Sequence, residues 1–257
     1  MIDYILLSII QGLTEFIPVS SSLHLLIFSN ILNIQISIFK LTSIHFGSLL
    51  ALIIYYYRNR NYIIFFNNNS QLLKIILFTS LPIIAIGFLF FSNISNIMQN
   101  QKIFLIITTI FFGILLIIVD FLPTNTENDK KINNYKLFFI GFFQCFSLIP
   151  GTSRSASIII GSRILKISPE TSIMISYIAA FPVLLGAFTL SVYNYFISKN
   201  QILNNESFIS VLIYIISSAI ASYLILCLFY NKSKKYGLKI FGFYRVILGI
   251  FLIFYYF

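Results

Sequence analysis

The chain has 257 residues, of which 58% are hydrophobic and only 9% are charged. A soluble domain carries about 25% charged residues, so this composition excludes a soluble enzyme, a disordered protein, a coiled coil and a secreted disulfide scaffold. The net charge of +10 comes from 17 Lys and Arg against 7 Asp and Glu. Because most of these cations lie in short loops between apolar segments, they indicate orientation in a bilayer, and we expect no nucleic-acid partner.

Two kinds of apolar segment follow one another along the chain. Residues 1–29 and 136–166 each hold two short apolar pieces joined by a polar turn with a proline, a pattern typical of a re-entrant helix-turn-helix. Three continuous apolar segments follow each of them, and all are long enough to cross a bilayer as helices: 41–57, 72–91 and 103–122, then 170–197, 208–230 and 240–257. The predicted fold is an all-α integral membrane protein with six transmembrane helices and two re-entrant segments.

The two re-entrant segments are similar in sequence. Residues 16–22 (FIPVSSS) align with residues 148–154 (LIPGTSR), and a glutamine precedes the proline in each segment. This pattern predicts an internal duplication. We therefore expect one membrane domain built from two repeats, about 1–125 and about 136–257.

The distribution of Lys and Arg predicts how these repeats lie in the bilayer. Twelve of the 17 cations lie in or directly beside the loops 58–71, 123–136, 161–169 and 231–239. If these loops are cytoplasmic, both re-entrant segments enter and leave on one side of the membrane, the first from outside and the second from the cytoplasm. The halves then have inverted topology, and their broken helices meet near the middle of the bilayer.

The polar turns carry ionisable groups at membrane depth, where a charge costs about 2.5–3.5 kcal/mol and needs a partner or a function. Glu15 and His24 lie in the first turn region and Arg154 in the second. Gln11 shares a helix face with Glu15, and a planar guanidinium such as that of Arg154 suits phosphate oxygens. With the hydroxyls of residues 20–22 and the N-terminus of the helix after Pro150, these groups can bind a phosphate and move a proton.

Structural interpretations compete with this one. Glu15 and Arg154 can form a purely structural ion pair, and serines such as Ser155 can hold helices together. His45 lies outside both turns, where a satisfied polar residue is as good an interpretation as a functional one. Arg245 lies near Lys239, so its side chain can snorkel to the cytoplasmic surface.

The segments Gln11–His24 (QGLTEFIPVSSSLH) and Pro150–Ser155 (PGTSRS) resemble those of the undecaprenyl-diphosphate phosphatase family of the bacitracin-resistance type. The resemblance implies a bacterial inner-membrane enzyme that hydrolyses undecaprenyl diphosphate to undecaprenyl phosphate and inorganic phosphate. This reaction recycles the lipid carrier for peptidoglycan synthesis and confers bacitracin resistance. The resemblance further implies a polyprenyl diphosphate substrate, a homodimer, a site that opens to the periplasm, and assistance by Mg²⁺ or Ca²⁺.

Roles carried over from this resemblance fall on the two turns. The catalytic residues are expected to be Glu15, Ser21, His24 and Arg154. The substrate-binding residues are expected to be Gln11, Ser20, Ser22, Gly151, Thr152, Ser153 and Ser155. Glu15 and Gln11 are the expected metal ligands, although Gln11 stands where a glutamate is common in the family, so we expect weaker dependence on the metal. The nucleophile stays open between Ser21, with Glu15 or His24 as its base, His24 itself, and water.

Two other classes of protein compete with a phosphatase of this family. Inverted repeats with broken helices are also typical of secondary transporters, so a transporter or lipid flippase for a prenyl phosphate is the alternative. A nucleophile, a base and an arginine together favour the enzyme, because transport alone does not require them. The phosphatidic-acid phosphatase superfamily needs a histidine in its late motifs, and this chain has none after His45.

Overall fold

The computed structural model describes residues 2–59, 69–89, 101–125, 129, 132–197 and 208–256. Within these residues the chain is helical and has no strand, as predicted. A short 3₁₀ helix covers Cys145–Leu148, and the α-helices are α1 Ile2–Thr14, α2 Ser21–Ile31, α3 Ile38–Arg58, α4 Asn69–Leu89, α5 Gln101–Asp120, α6 Asn134–Gln144, α7 Arg154–Ile164, α8 Pro169–Ile197, α9 Phe208–Tyr236 and α10 Lys239–Tyr256.

Six of these helices are long and apolar enough to cross a membrane, namely α3, α4, α5, α8, α9 and α10. They coincide with the six predicted spans to within a few residues, and only α9 runs clearly further, to Tyr236. The predicted span ends at 90–91 and at 257 lie outside the described residues. The chain is therefore a multi-pass membrane protein, as its composition predicts.

Polar residues at the helix ends bind the free backbone N–H groups there. Ser37 accepts a hydrogen bond from the third residue of α3 and Asn133 from the third residue of α6, which are normal N-cap interactions. The carboxylate of Asp120 accepts the backbone N–H groups of Leu238 and Lys239 at the start of α10, at 3.0 and 3.2 Å. Asp120 thus joins the end of α5 to the beginning of α10.

The basic loops are only partly described. Arg163, which we predicted in a loop, lies in α7, is fully buried and donates to the backbone carbonyls of Val119, Leu122 and Ile167. The prediction that Arg163 is exposed in a loop is therefore wrong, because its N–H groups bind backbone carbonyls inside the protein. Four other cations of the charge argument lie outside the described residues: Arg60, Lys130, Lys131 and Lys199.

The pairs α1–α2 and α6–α7 form two hairpins with the same backbone features. Ser20 (φ 72°) and Ser153 (φ 71°) have positive φ just before the second helix of each hairpin. Asn33 (φ 54°) and Lys166 (φ 60°) have positive φ just after it. The packing partners also correspond, because α1 packs against α9 while α6 packs against α4. The likeness seen between residues 16–22 and 148–154 therefore extends to the geometry of both hairpins.

Candidate active site

The first turn begins where α1 ends. Pro18 cannot donate a backbone hydrogen bond, and it disfavours helical backbone at the residue before it. Ser20 then takes the left-handed conformation (φ 72°, ψ 89°), and α2 starts at Ser21. Such a conformation costs a residue other than glycine of order 1–3 kcal/mol and is common at functional sites. The turn thus presents Glu15 and Ser21 from two sides of one break in the helix.

The second turn contains Gly151, whose φ of 87° favours glycine. A side chain here would also meet α5, because an added Cβ would lie 2.9 Å from the carbonyl oxygen of Leu105 and against the hydroxyl of Thr108. Thr108 in turn donates to the carbonyl of Pro150 at 2.7 Å. The turn is held this way against α5, and α7 begins at Arg154.

Glu15 is the centre of the site. Its Oε1 accepts a hydrogen bond from Arg154 Nη2 at 3.1 Å, so the two turns form a buried ion pair. Its Oε2 accepts from the Ser21 hydroxyl at 2.7 Å and from Gln11 Nε2 at 3.1 Å. His45 Nδ1 lies 3.2 Å from the same oxygen. Residues that are far apart in the chain therefore meet at one carboxylate, as the repeat argument predicted for Glu15 and Arg154.

The guanidinium of Arg154 keeps one nitrogen free. Nη2 donates to Glu15, whereas Nη1 is buried and has no hydrogen-bond partner among the described residues. Leaving a buried polar group without a partner costs about 1–3 kcal/mol, and more for a charged group. An acceptor supplied by a ligand would remove this cost. Arg154 Nη1 is thus a candidate donor to an anionic ligand.

Gln11 is fully buried, and both ends of its amide have partners. Its Oε1 accepts from the hydroxyls of Ser218 at 2.8 Å and Ser48 at 3.1 Å. Its Nε2 faces Glu15 and also lies 2.8 Å from His45 Nδ1. Gln11 lies beside Glu15, as their spacing of four residues predicted, whereas its partners on α3 and α9 were not predicted.

His24 is bound on both of its ring nitrogens. Nδ1 lies 2.8 Å from the carbonyl oxygen of Ser20, which can only accept, so Nδ1 carries a proton. In the neutral ring Nε2 is then an acceptor, and the Tyr244 hydroxyl donates to it at 2.6 Å. Within the described residues, no hydrogen bond joins His24 to Ser21 or to Glu15. Of the two bases considered for Ser21, only Glu15 contacts its hydroxyl.

Arg245 is fully buried, so the expectation that it snorkels to the surface is wrong. It donates to the carbonyl of Pro18 in the first turn and to those of Gly151 and Thr152 in the second, at 3.3, 2.7 and 3.0 Å. Two further bonds go to carbonyls of α5. Broken helices leave carbonyls that need donors at membrane depth, and Arg245 supplies them to both turns at once. The need of the broken helices for donors was a signal in the sequence that could have identified Arg245, but it was not used in the prediction.

The remaining residues predicted to bind substrate build the turns. The hydroxyls of Thr152 and Ser155 are directed to backbone carbonyls, and the bond from Ser155 reaches Ile17 of the first turn at 3.1 Å. Ser153 caps α7 by accepting a backbone N–H at 3.4 Å. In the first turn the hydroxyls of Ser20 and Ser22 lie 3.2 Å apart. These residues therefore bring the N-termini of α2 and α7 to the site.

The predicted metal ligands do not form a ready site for Mg²⁺ or Ca²⁺, which prefer oxygen donors. The amide oxygen of Gln11 is bound by two serines, and the amide nitrogen is the atom that faces Glu15. Both carboxylate oxygens of Glu15 already accept hydrogen bonds. In the described part of the chain, no three His, Cys, Asp or Glu residues are grouped as metal ligands. The requirement for a cation therefore stays a prediction.

An apolar groove of about 470 Å³ adjoins the site. Its walls are formed by α1, α2, α9 and α10, and apolar side chains such as Leu13 and Phe28 supply most of the lining. His24 and Tyr244 also line it, so the groove reaches a residue of the first turn. An apolar chain attached to a group in the site can therefore lie in this groove.

Comparison with known proteins identifies the family. The chain matches the family model described as bacitracin resistance protein BacA over residues 4–251. It is 35% identical to an undecaprenyl-diphosphatase of Pelagibacter ubique, over 98% of this chain and 96% of the relative. Similar proteins of the same name occur in Persephonella marina (33% identical, 99% of this chain and 98% of the relative) and Aquifex aeolicus (31%, 96% and 94%). Since the family model and these relatives each span nearly the whole chain, the chain belongs to the bacitracin resistance protein BacA family.

Proposed function

We propose that the Glu15–Arg154 site carries the activity named in this chain's relatives, undecaprenyl-diphosphatase. The chain hydrolyses undecaprenyl diphosphate to undecaprenyl phosphate and inorganic phosphate, which recycles the lipid carrier for peptidoglycan synthesis and confers bacitracin resistance. The observation that carries the assignment to this site is Arg154 Nη1, which has no partner among the residues that the structure describes and lies beside a carboxylate that accepts a hydrogen bond from a serine hydroxyl.

The terminal phosphate is bound between the two turns. Arg154 Nη1 donates to a phosphate oxygen while Nη2 stays on Glu15, so the guanidinium is already oriented when the substrate arrives. The N-termini of α2 and α7 add backbone N–H groups and the positive ends of their helix dipoles. These groups offset the negative charge that develops on the phosphate oxygens during transfer.

Ser21 is the nucleophile that this geometry favours. Its hydroxyl donates to Glu15 Oε2 at 2.7 Å, within the range for a general base. When Ser21 Oγ bonds to the terminal phosphorus, its proton passes to Glu15, and the bond from that phosphorus to the bridging oxygen breaks. Undecaprenyl phosphate leaves with the electron pair. Water then cleaves the phosphoserine to inorganic phosphate, and Ser21 regains a proton from Glu15.

His24 and water are the other nucleophiles that the sequence allows. His24 is less favoured, since both ring nitrogens are engaged with Ser20 and Tyr244. Alternatively, water attacks the terminal phosphorus directly and gives its proton to Glu15, while the bond to the bridging oxygen breaks, so that no covalent intermediate forms. Rapid quenching of the reaction, followed by mass spectrometry of the peptide with Ser21, separates these routes. A phosphorylated Ser21 supports attack by the serine, and its absence under conditions of burst release of undecaprenyl phosphate contradicts it.

The assay is phosphate release from undecaprenyl diphosphate by the protein purified in detergent. We expect Ser21→Ala and Arg154→Ala to abolish release. Ser29→Ala is the matched control, because Ser29 lies on the same helix and its hydroxyl donates to the carbonyl of Leu26 within that helix. If both Ser21→Ala and Arg154→Ala release phosphate at the wild-type rate, hydrolysis does not take place at the Glu15–Arg154 site. A parallel series with EDTA tests whether Mg²⁺ or Ca²⁺ is required.

The position in the cell is the second part of the proposal. We infer a bacterial inner-membrane protein built from inverted repeats, with the site open to the periplasm. The shared geometry of the two hairpins and the corresponding packing of α1 on α9 and α6 on α4 support this. Single cysteines at Asn33 and Lys166, which are both exposed, should react with an impermeant maleimide from opposite sides of the membrane. Labelling of both from one side would contradict inverted topology.

A homodimer completes the proposal. It rests on the family resemblance, and native mass spectrometry of the detergent-purified protein tests it. A mass of two chains is the expected result, and a single chain across a range of protein concentrations would overturn it.

A further inference from the structure

His45 contacts the reactive centre from α3, although no motif of the turns contains it. Its Nδ1 lies 2.8 Å from Gln11 Nε2 and 3.2 Å from Glu15 Oε2, and its side chain is 20% exposed. The Gln11 amide has two N–H groups, and its nitrogen faces both Glu15 Oε2 and His45 Nδ1. In the neutral tautomer of His45 that carries its proton on Nε2, Nδ1 accepts one of these N–H groups and Glu15 accepts the other.

The far end of the Gln11 amide is held in place by buried hydroxyls. Ser218 and Ser48 both donate to Oε1, and Ser48 lies 2.6 Å from Ser222. Ser222 closes the cluster with a bond to the carbonyl of Gly12 at 3.1 Å. If the amide turned over, its oxygen would face Glu15 Oε2 and His45 Nδ1, and neither would receive an N–H group. The orientation of Gln11 is therefore set by α3 and α9, outside the turn that carries Glu15.

The close packing of these helices is part of the arrangement. An added Cβ at Gly12 would lie 2.5 Å from the carbonyl oxygen of Ser218, so α1 and α9 are in backbone contact at the level of Gln11. Such packing leaves the amide little freedom to rotate or shift. A carboxylate at position 11 would have no N–H for either acceptor and would bring a second negative charge to Glu15.

We propose that Gln11 and His45 form a hydrogen-bonded bridge that positions Glu15 Oε2 against the hydroxyl of Ser21. Both are positioning residues that act through Glu15. The inference rests on the proposed function, in which Glu15 accepts the proton of Ser21. Because neither residue contacts the phosphate in this scheme, their loss slows the chemical step and leaves substrate binding nearly unchanged.

Three variants of His45 and Gln11 test the bridge. His45→Leu keeps much of the volume and removes the acceptor, whereas His45→Asn places an amide oxygen near the position of Nδ1. A shift of about 1 Å in a catalytic group can cost about 10²-fold in rate, so we expect kcat of His45→Leu to fall by up to about that factor with KM nearly constant. His45→Asn should recover most of the rate. Gln11→Leu should resemble His45→Leu, and the double variant should be no slower than either, because the two residues act as one unit.

A control variant and the wild-type protein distinguish failure of the bridge from failure of the proposed function. Ser43→Ala is the matched control, since Ser43 is buried on the same helix and its hydroxyl donates to the carbonyl of Phe39 in that helix. Thermal unfolding in the same detergent shows that each variant is folded. If wild type releases no phosphate, the proposed function fails. If wild type is active, a fully active His45→Leu, a His45→Asn as slow as His45→Leu, or effects that multiply in the double variant would each overturn the bridge.

Discussion

Replacing Arg154 by lysine separates its two contacts. Arg154 uses Nη2 on Glu15 and keeps Nη1 without a partner in the described residues. Lysine keeps a positive charge for the ion pair, but it is a point charge and cannot supply the planar pair of donors. The variant should therefore preserve the contact with Glu15 and lose the donor that we assign to phosphate.

The expected effect follows from the number of bonds lost. One hydrogen bond to a charged group contributes about 1.5–3 kcal/mol. Since each 1.4 kcal/mol is about tenfold, kcat/KM should fall roughly ten- to a hundredfold. Stability should change little, because Glu15 keeps a cationic partner. Arg154→Met differs, since removing one partner of a buried pair costs about 3–5 kcal/mol of stability.

The assay measures kcat/KM for undecaprenyl diphosphate and the melting temperature in one detergent, for wild type and both variants. A large loss of activity in Arg154→Lys with an unchanged melting temperature supports a phosphate donor. Wild-type activity in Arg154→Lys would refute the assignment of Nη1. A loss of activity that only follows the folded fraction in both variants would mean that Glu15 and Arg154 are a structural lock.

Three further predictions concern neighbours of the site. Tyr244→Phe removes the donor to His24 Nε2, a neutral hydrogen bond contributing about 0.5–1.5 kcal/mol, so the free energy of unfolding should fall by about that amount in thermal unfolding, and an unchanged value would contradict the bond. Arg245→Met leaves several buried carbonyls without a donor at about 1–3 kcal/mol each, and the melting temperature should drop sharply, which an unchanged value would contradict. Gly151→Ala is strained at a φ of 87° and should destabilise by about 1–3 kcal/mol in thermal unfolding, whereas Gly186→Ala, with open space around it, should not.

The sequence predicted those parts of the structure that depend on local composition. A run of about 20 apolar residues has few alternatives to a membrane helix, so the six spans agree with the structure to within a few residues. Pro18 and Pro150, each with polar residues beside it, marked the two breaks, because proline cannot donate a backbone hydrogen bond and does not continue a helix. The meeting of Glu15 with Arg154 could also be predicted, because a duplicated turn suggested where the second charge would come from.

The contacts that the sequence did not predict come from continuous helices. His45 and Arg245 lie in α3 and α10, which are apolar around most of their circumference, so periodicity does not tell which face meets the turns. His45 is 30 residues from Glu15 in the chain, and Arg245 is 93 residues from Thr152 and 227 from Pro18. These contacts therefore lie outside any local window of the sequence. Only the packing of α1 with α3 and of α5 with α10 determines these contacts.

The two deep arginines of the site differ in how their donors are used, and this difference decides their roles. A guanidinium has five N–H donors. Arg245 directs Nε, Nη1 and Nη2 to five backbone carbonyls, so it has no donor left for a ligand. Arg154 keeps Nη1 without a partner in the part of the chain that the structure describes. An arginine at membrane depth therefore binds an anion only where the turn has not already used its donors, and here that condition selects Arg154.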